Sequence, residues 1–264
     1  MRCGIAIWNY AEPGVGLLEL VQEFVSFGYD AVSFLPSQIA SLDDEQLRRL
    51  ASLVGQEGLL VTVHGNFEMS AREAERLLHA LGDSLYAISF DPAVSGDPRS
   101  FSYDTARMVP FVRKVLDMSA GTDLRVAIED FPLEDGALEA YRADLEPLLG
   151  EARYGILVDI GHMNLRLRKG GHYAGVTVAE YLQRLPLPLV EVHVHDNRGE
   201  RDDHGHLGFG EVRFGEVAAG LKGIGFQGVT TIEIAPSFHG SSPAESKPHA
   251  RRSLATWCDL WAAA

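Results

Sequence analysis

Cysteine is almost missing from this 264-residue chain: Cys3 and Cys258 are its whole complement. Two residues so far apart form neither a zinc-ligand spacing nor a disulfide framework. Both are expected to be buried and inert. Positive charge is also scarce, with 23 Lys and Arg against 37 Asp and Glu, a formal net charge of −14. Proteins that grip bare phosphate backbones present a basic face, so this balance counts against a nucleic-acid partner. No apolar run approaches the roughly 20 residues of a membrane span. The opening Met1-Arg2-Cys3-Gly4-Ile5 lacks a charged segment followed by a long apolar one. The expectation is a cytoplasmic protein with no membrane contact, and nothing in the composition fixes whether it is a homo-oligomer. No Gly-rich phosphate loop follows the first apolar run, which weakens a dinucleotide-binding reading.

What is present is regular. Short apolar runs alternate with longer amphipathic stretches. The candidate strands are Cys3–Trp8, Ala31–Leu35, Leu59–His64, Leu85–Phe90, Leu124–Glu129, Gly155–Asp159, Leu189–His195 and Val229–Ile234. Helical spacing is found at Leu17–Phe27, Asp43–Glu57, Ala71–Leu81, Thr105–Met118, Ala137–Leu149, Val178–Leu185, Phe214–Gly225 and Pro243–Trp261. Ser41-Leu42-Asp43-Asp44 and Ser70-Ala71-Arg72-Glu73 read as helix starts, and Gly28, Gly55, Gly82, Gly150 and Gly225 as stops. Strands alternating with helices imply βα crossovers and a parallel sheet. At this length the α/β arrangement closes best as a (β/α)8 barrel, the TIM-barrel architecture, in one domain spanning 1–264. The stretches 91–103, 162–175 and 197–212 are longer and polar, and read as the βα loops that carry active sites in such barrels.

Ligand-type residues fall at the C-terminal ends of the strands. His64 ends strand 3, Asp91 follows strand 4, Glu129 ends strand 5 and Asp159 ends strand 6. His193 and His195 end strand 7, and Glu233 ends strand 8. Side chains on a strand alternate faces. The inward sets are then Leu60/Thr62/His64, Arg125/Ala127/Glu129, Gly155/Leu157/Asp159, Glu191/His193/His195 and Val229/Thr231/Glu233. Buried carboxylates gathered at one mouth repel unless a cation joins them. Oxygen-rich ligands with one imidazole suit Mn2+, Mg2+, Co2+ or Zn2+. Asp202 and His204, with His162, offer a second set, which stands evenly against a solvated loop. Asp91 reads as a turn cap before Pro92, and His172 and His206 as plain polar loop residues.

These motifs resemble the xylose isomerase-like barrels, the superfamily that also holds endonuclease IV-type enzymes. The matching pieces are Val63-His64-Gly65-Asn66-Phe67, Ile128-Glu129-Asp130, Asp159-Ile160-Gly161-His162, His193-Val194-His195-Asp196, Asp202-Asp203-His204 with Leu207-Gly208-Phe209-Gly210, and Ile232-Glu233. They run in the family's order from residue 63 to residue 233. The resemblance implies a sugar isomerase or epimerase, acting on a sugar, sugar phosphate or inosose-type compound. One divalent metal would be held by Glu129, Asp159, His193 and Glu233, with a second at His162, Asp202 and His204. Catalysis would run through a metal-bound enediolate, with Glu129 and Glu233 as paired acid and base and His162 polarising the substrate. His64, His195, Trp8, Phe67, Arg198 and Arg201 would contact the carbohydrate. Two other activities fit the superfamily: a zinc phosphodiesterase acting on abasic DNA, and a sugar- or polyol-binding or dehydratase-type barrel. The endonuclease branch has a histidine where this chain has Asp91.

Overall fold

The computed structural model describes residues 1–264 except 66–68, 93, 96–101, 104, 131–147 and 149–150. Eight strands make its centre: β1 (Arg2–Ala6), β2 (Ala31–Phe34), β3 (Leu60–Gly65), β4 (Leu85–Phe90), β5 (Arg125–Glu129), β6 (Tyr154–Asp159), β7 (Leu189–Val194) and β8 (Val229–Ile232). Each pairs in parallel with its neighbours in chain order, and β1 closes the ring on β8 with Arg2 opposite Val229 and Ile5 opposite Ile232. A ring of parallel strands needs a crossover at every step. Among the helices that supply it are α1 (Leu17–Ser26), α2 (Pro36–Ala40), α3 (Asp44–Glu57), α4 (Ala71–Leu81), α5 (Thr105–Met118), α6 (Ile160–Lys169), α7 (Val178–Gln183), α8 (Phe214–Gly223) and α9 (Pro243–Ala263). A short antiparallel ribbon pairs Val94 with Tyr103 after β4.

Local chemistry sets the helix ends. Asp43 accepts from the Gln46 amide at 2.8 Å while the Gln46 side chain accepts from the Asp43 amide at 2.9 Å. Two otherwise orphaned donors are thereby satisfied. Ser70 and Glu73 repeat the device at α4. Ser41 closes the preceding short helix rather than opening α3. Gly55 lies inside α3, and the left-handed residue that ends it is Gly58 at φ 63°. The helix expected at 137–149, with Gly150, lies outside the described residues except for Leu148, which is buried.

One expectation is corrected. Residues 162–175 are not all loop, because β6 passes directly into α6. Asp159 caps that helix, its carboxylate accepting from the His162 amide at 2.8 Å. Arg166, Arg168 and Lys169 fill the last turn, where cations offset the helix dipole. The polar residues are spread around a helix, and its apolar spacing is too sparse to read.

Packing follows strand parity. Val126, Ile128, Ile156, Val158, Val192 and Val194 are fully buried in the main core. Of the inward residues, Ala87, Ala127 and Leu157 join Val190 in a separate small cluster. Beneath the mouth the Thr62 and Thr231 hydroxyls donate to Glu191 Oε1 at 2.8 and 2.9 Å. A fully buried carboxylate thus joins β3, β7 and β8.

Gly155 tests how tightly β6 meets the chain entering β7. A Cβ there would lie 2.2 Å from the Pro188 carbonyl oxygen and 2.7 Å from a Val190 methyl. Gly155→Ala is expected to lower the unfolding free energy by about 1–3 kcal/mol, read from urea denaturation. A wild-type midpoint would show that the Pro188 backbone can retreat at no cost.

Candidate metal centre

The strand ends deliver their polar side chains to one place. His64 is the penultimate residue of β3, Glu129 and Asp159 end β5 and β6, His193 is penultimate in β7, and Glu233 follows β8 by one residue. All five are buried. His64 Nε2 lies 3.3 Å from both Asp91 Oδ1 and Glu129 Oε2. The other Glu129 oxygen is 3.1 Å from His162 Nδ1, so one carboxylate spans two imidazoles. His162 Nε2 and His204 Nε2 converge on Asp202 Oδ2 at 3.2 and 2.9 Å. His193 Nδ1 approaches Glu233 Oε2 to 2.9 Å.

Three local devices aim these groups. The first is the Asp159 cap, which fixes His162 one turn into α6. The second is a buried triad. Asp130 Oδ1 accepts from the Asp159 amide at 2.7 Å, and its Oδ2 accepts from the Tyr181 hydroxyl at 2.9 Å with Arg166 Nη1 at 3.3 Å. The Arg166 guanidinium also bonds to the Tyr181 hydroxyl. The ends of β5 and β6 are thereby locked together behind the ligand-type carboxylates. The third is the loop after β7. Asp196 accepts from the amides of Gly208, Gly210 and Val212 at 3.0, 2.8 and 3.0 Å. Within this loop His204 sits at φ 45°, the sole non-glycine residue at positive φ among the described residues. Such conformations cost energy and cluster at functional sites.

Electrostatics follow from crowding charge in a dry space. For His193 burial alone would depress the pKa, but the Glu233 carboxylate outweighs it and holds the ring up to about 10. His204 is likewise held up to about 10, burial again being outweighed by Glu233 and Asp202. Burial works to raise Glu233, yet the His193 and His204 rings bring it down to about 2. Asp91 also falls to about 2, His64 overcoming its burial. Glu129 moves the other way: burial raises it, and its histidine neighbours only partly offset that.

The donor set fits a divalent cation. Among the described residues four overlapping trios bring their ligand atoms within 4.8 Å of one another: His64/Glu129/His193, Glu129/Asp159/His162, Asp159/His193/Glu233 and His195/His204/Glu233. His193 Nε2 has no hydrogen-bond partner although buried, and neither has Asp202 Oδ1. Buried donors and acceptors left this way carry a desolvation cost that coordination would remove.

The other expected contacts divide. Trp8 is not in a strand: β1 ends at Ala6, and a 3-10 turn over Ile7–Tyr10 carries the indole. Its ring stacks on His64 at 5.9 Å and lies 6.4 Å from His193. His195 is wholly enclosed, with Nε2 2.9 and 3.0 Å from the two Asp159 oxygens and its ring stacked on His204 at 4.0 Å. It braces Asp159. A Cβ on Gly161 would lie 1.9 Å from its Cε1, so that glycine leaves it room. Arg198 lies over the Phe209 ring at 4.5 Å, and Arg201 donates to Asp203 with its side chain largely exposed. Neither is turned into the cluster. Phe67 lies outside the described residues. Asp91, which position placed at a strand end but which read as a turn cap before Pro92, engages His64.

The sequence pattern described as "Xylose isomerase-like TIM barrel" matches residues 21–259. The chain belongs to this family. A D-psicose 3-epimerase of Clostridium cellulolyticum H10, crystallised with D-tagatose, superposes with a TM-score of 0.72 at 15% identity, covering 99% of each chain. A probable 3-DHS dehydratase of Bacillus anthracis superposes at 0.68 and 12% identity, over 97% of this chain and 99% of that one. At such identities these likenesses show the shared fold alone. An uncharacterized protein of Methanocaldococcus jannaschii is 31% identical over 123 residues, 46% of this chain and 40% of that relative. The match therefore spans less than half of the relative's length.

The metal-free family member has a definite pH signature. His193 and His204 are raised from 6.5 to about 10 on folding. Their stabilisation is complete below about pH 6.5 and is lost as pH rises toward 10. Melting temperature in EDTA should therefore fall across that window. Added Zn2+ should stabilise more as pH rises, because protons no longer compete for the imidazoles. A flat profile in EDTA would show that the rings stay neutral in the folded chain.

Proposed function

We propose that this barrel is a divalent-metal-dependent isomerase or epimerase of a small carbohydrate, with residues 1–264 acting as one domain. One observation carries the reading. Glu129 and Glu233, delivered by strands three places apart in the ring, both reach the same imidazole cluster. Two carboxylates set on different sides of a substrate carbon are what moving a proton off one face and onto another requires. Glu129, Asp159, His193 and Glu233 would hold the cation, which when bound supplies Lewis-acid polarisation of a carbonyl and its neighbouring hydroxyl. His162, between Glu129 and Asp202, is placed to orient the substrate.

A cavity of about 350 Å3 opens beside the cluster, lined by His64, Asp91, Leu35, Pro36, Met69 and Glu73. Its volume suits a small molecule. The Trp8 ring, stacked against His64, offers an apolar wall to the C–H face of a sugar. Aim comes from outside the cluster: the Asp130 triad and His195 restrain Asp159, so substrate binding need not pay to order it.

A second reading has its own support. His64, Asp91 and Glu129 gather on one side and His162, Asp202 and His204 on the other, which leaves room for more than one cation. Zinc clusters of that kind suit phosphodiester hydrolysis. The net charge of −14 counts against duplex DNA as the substrate. Nicking of an abasic duplex by zinc-loaded protein, without action on sugars, would select this reading. Loss of water from a polyol or keto-acid without hydrogen exchange would select a dehydratase.

The principal test is exchange with solvent. Metal-loaded protein incubated with a panel of free and phosphorylated ketoses in D2O should place deuterium on the carbon beside the carbonyl and yield a second isomer, both seen by NMR. Unlabelled, unchanged sugars across the panel would sink the proposal. For the acid–base assignment, Glu129→Gln and Glu233→Gln should each lower kcat by about 10²–10⁴. Circular dichroism should stay near that of the parent. Parental kcat in either variant would remove that glutamate from the proton transfer.

A further inference from the structure

The chain's two cysteines stand 255 positions apart, and the fold brings their sulfurs to 3.8 Å. Cys3 lies on β1, 7% exposed, and Cys258, on α9, is exposed rather than buried. Packed elements hold this approach. Trp257, the neighbour of Cys258, is fully buried and donates Nε1 to Thr230 Oγ1 at 2.9 Å. Thr230 is the residue of β8 paired with Cys3, and its hydroxyl is 3.9 Å from the Cys3 sulfur. Two turns earlier in the same helix the Ala250 carbonyl accepts from the Tyr29 hydroxyl at 2.8 Å. The helix is therefore pinned next to Cys258 and again two turns before it.

We propose that Cys3 and Cys258 are a modification site: a thiol pair that low-molecular-weight disulfides oxidise to an intrachain disulfide joining β1 to α9. The reading is independent of the activity proposed above. The sulfurs need to close by less than 2 Å to reach bonding distance, which side-chain rotation on an exposed helix face supplies. The Cys258 thiolate attacks one sulfur of an oxidant RSSR, and RS− leaves. Cys3 then gives up its proton and attacks the Cys258 sulfur, and the second RS− leaves. Two thiols and RSSR become one protein disulfide and two RSH, the electron pair passing to the oxidant. Exposure makes Cys258 the first to react. Burial pushes the Cys3 thiol up to about 12, and the nearby Cys258 adds to the rise. Cys3 is accordingly inert to outside reagents and attacks only the sulfur already beside it.

The experiment treats the full chain, folded in native buffer, with oxidised glutathione. The protein should lose about 2 Da relative to the reduced form, leave no titratable thiol on denaturation, and give a tryptic peptide linking residues 3 and 258. Because the bond closes nearly the whole chain, melting temperature should rise on the order of 5 to 10 °C and return with dithiothreitol. Cys258→Ser, on an exposed position, should fold normally and show none of these changes. A stable glutathione adduct at Cys258 with Cys3 still free overturns the proposal, as do disulfide-linked dimers or two free thiols after treatment. A fall in melting temperature on oxidation overturns it as well, since the bond would then distort the native packing.

Discussion

Everything at the mouth of this barrel depends on carboxylates being held closer together than their charge allows unaided. Glu129, Asp159 and Glu233 are all buried there, with Asp91 and Asp202 at their edges. In a low-dielectric space such a group is tolerated only when positive charge is interleaved with it. The histidines do this in the metal-free chain, and the raised pKa of His193 and His204 is how the demand registers. A divalent cation meets it more fully, because it binds several oxygens at once and leaves the imidazoles neutral. The crowding of carboxylates that is costly by itself is thus of the kind a cation would relieve.

Such crowding also has to be resisted mechanically, and the structure spends buried polar groups on that. Asp130, Tyr181 and Arg166 are out of reach of solvent, and a charged triad of this kind is weak evidence for stability. Its placement explains it better: Asp130 comes directly after Glu129 and bonds to the amide of Asp159, so two neighbouring strand ends cannot spread apart. The Asp196 carboxylate, accepting three backbone amides, does the same for the loop that carries Asp202 and His204. Deeper in the barrel, Glu191 between Thr62 and Thr231 ties three strands below the cluster. The ligand-type groups stand on a frame of buried hydrogen bonds.

Much of this is legible in the amino-acid order, for a definite reason. Strand side chains alternate, and barrel strands end on one face, so an inward carboxylate at the last position of a strand can only point to the mouth. That logic brings Glu129, Asp159, His193 and Glu233 to the mouth, where they lie buried together. It fails where backbone direction changes. The turn of Ile7–Tyr10 swings Trp8 beside His64, and the immediate start of α6 makes a helix face out of a stretch that looks like loop. Arg198 and Arg201 sit in the right loop but are drawn off by Phe209 and Asp203, contacts that no spacing encodes. Asp91 stood at a strand end in the sequence too, but Asp-Pro reads first as a turn. The cysteines show the limit most clearly: nothing in a separation of 255 residues announces adjacency, which arises only because the ring closes on itself.

The cap at Asp159 links two things usually treated apart. Its carboxylate serves the mouth, yet the same carboxylate accepts the amide of His162 and so begins α6. Any pull on those oxygens is felt as a loosening or tightening of the first helical turn. Solvent exchange of a single backbone proton, that of His162, thereby becomes a gauge of what occupies the mouth, readable without any substrate being turned over.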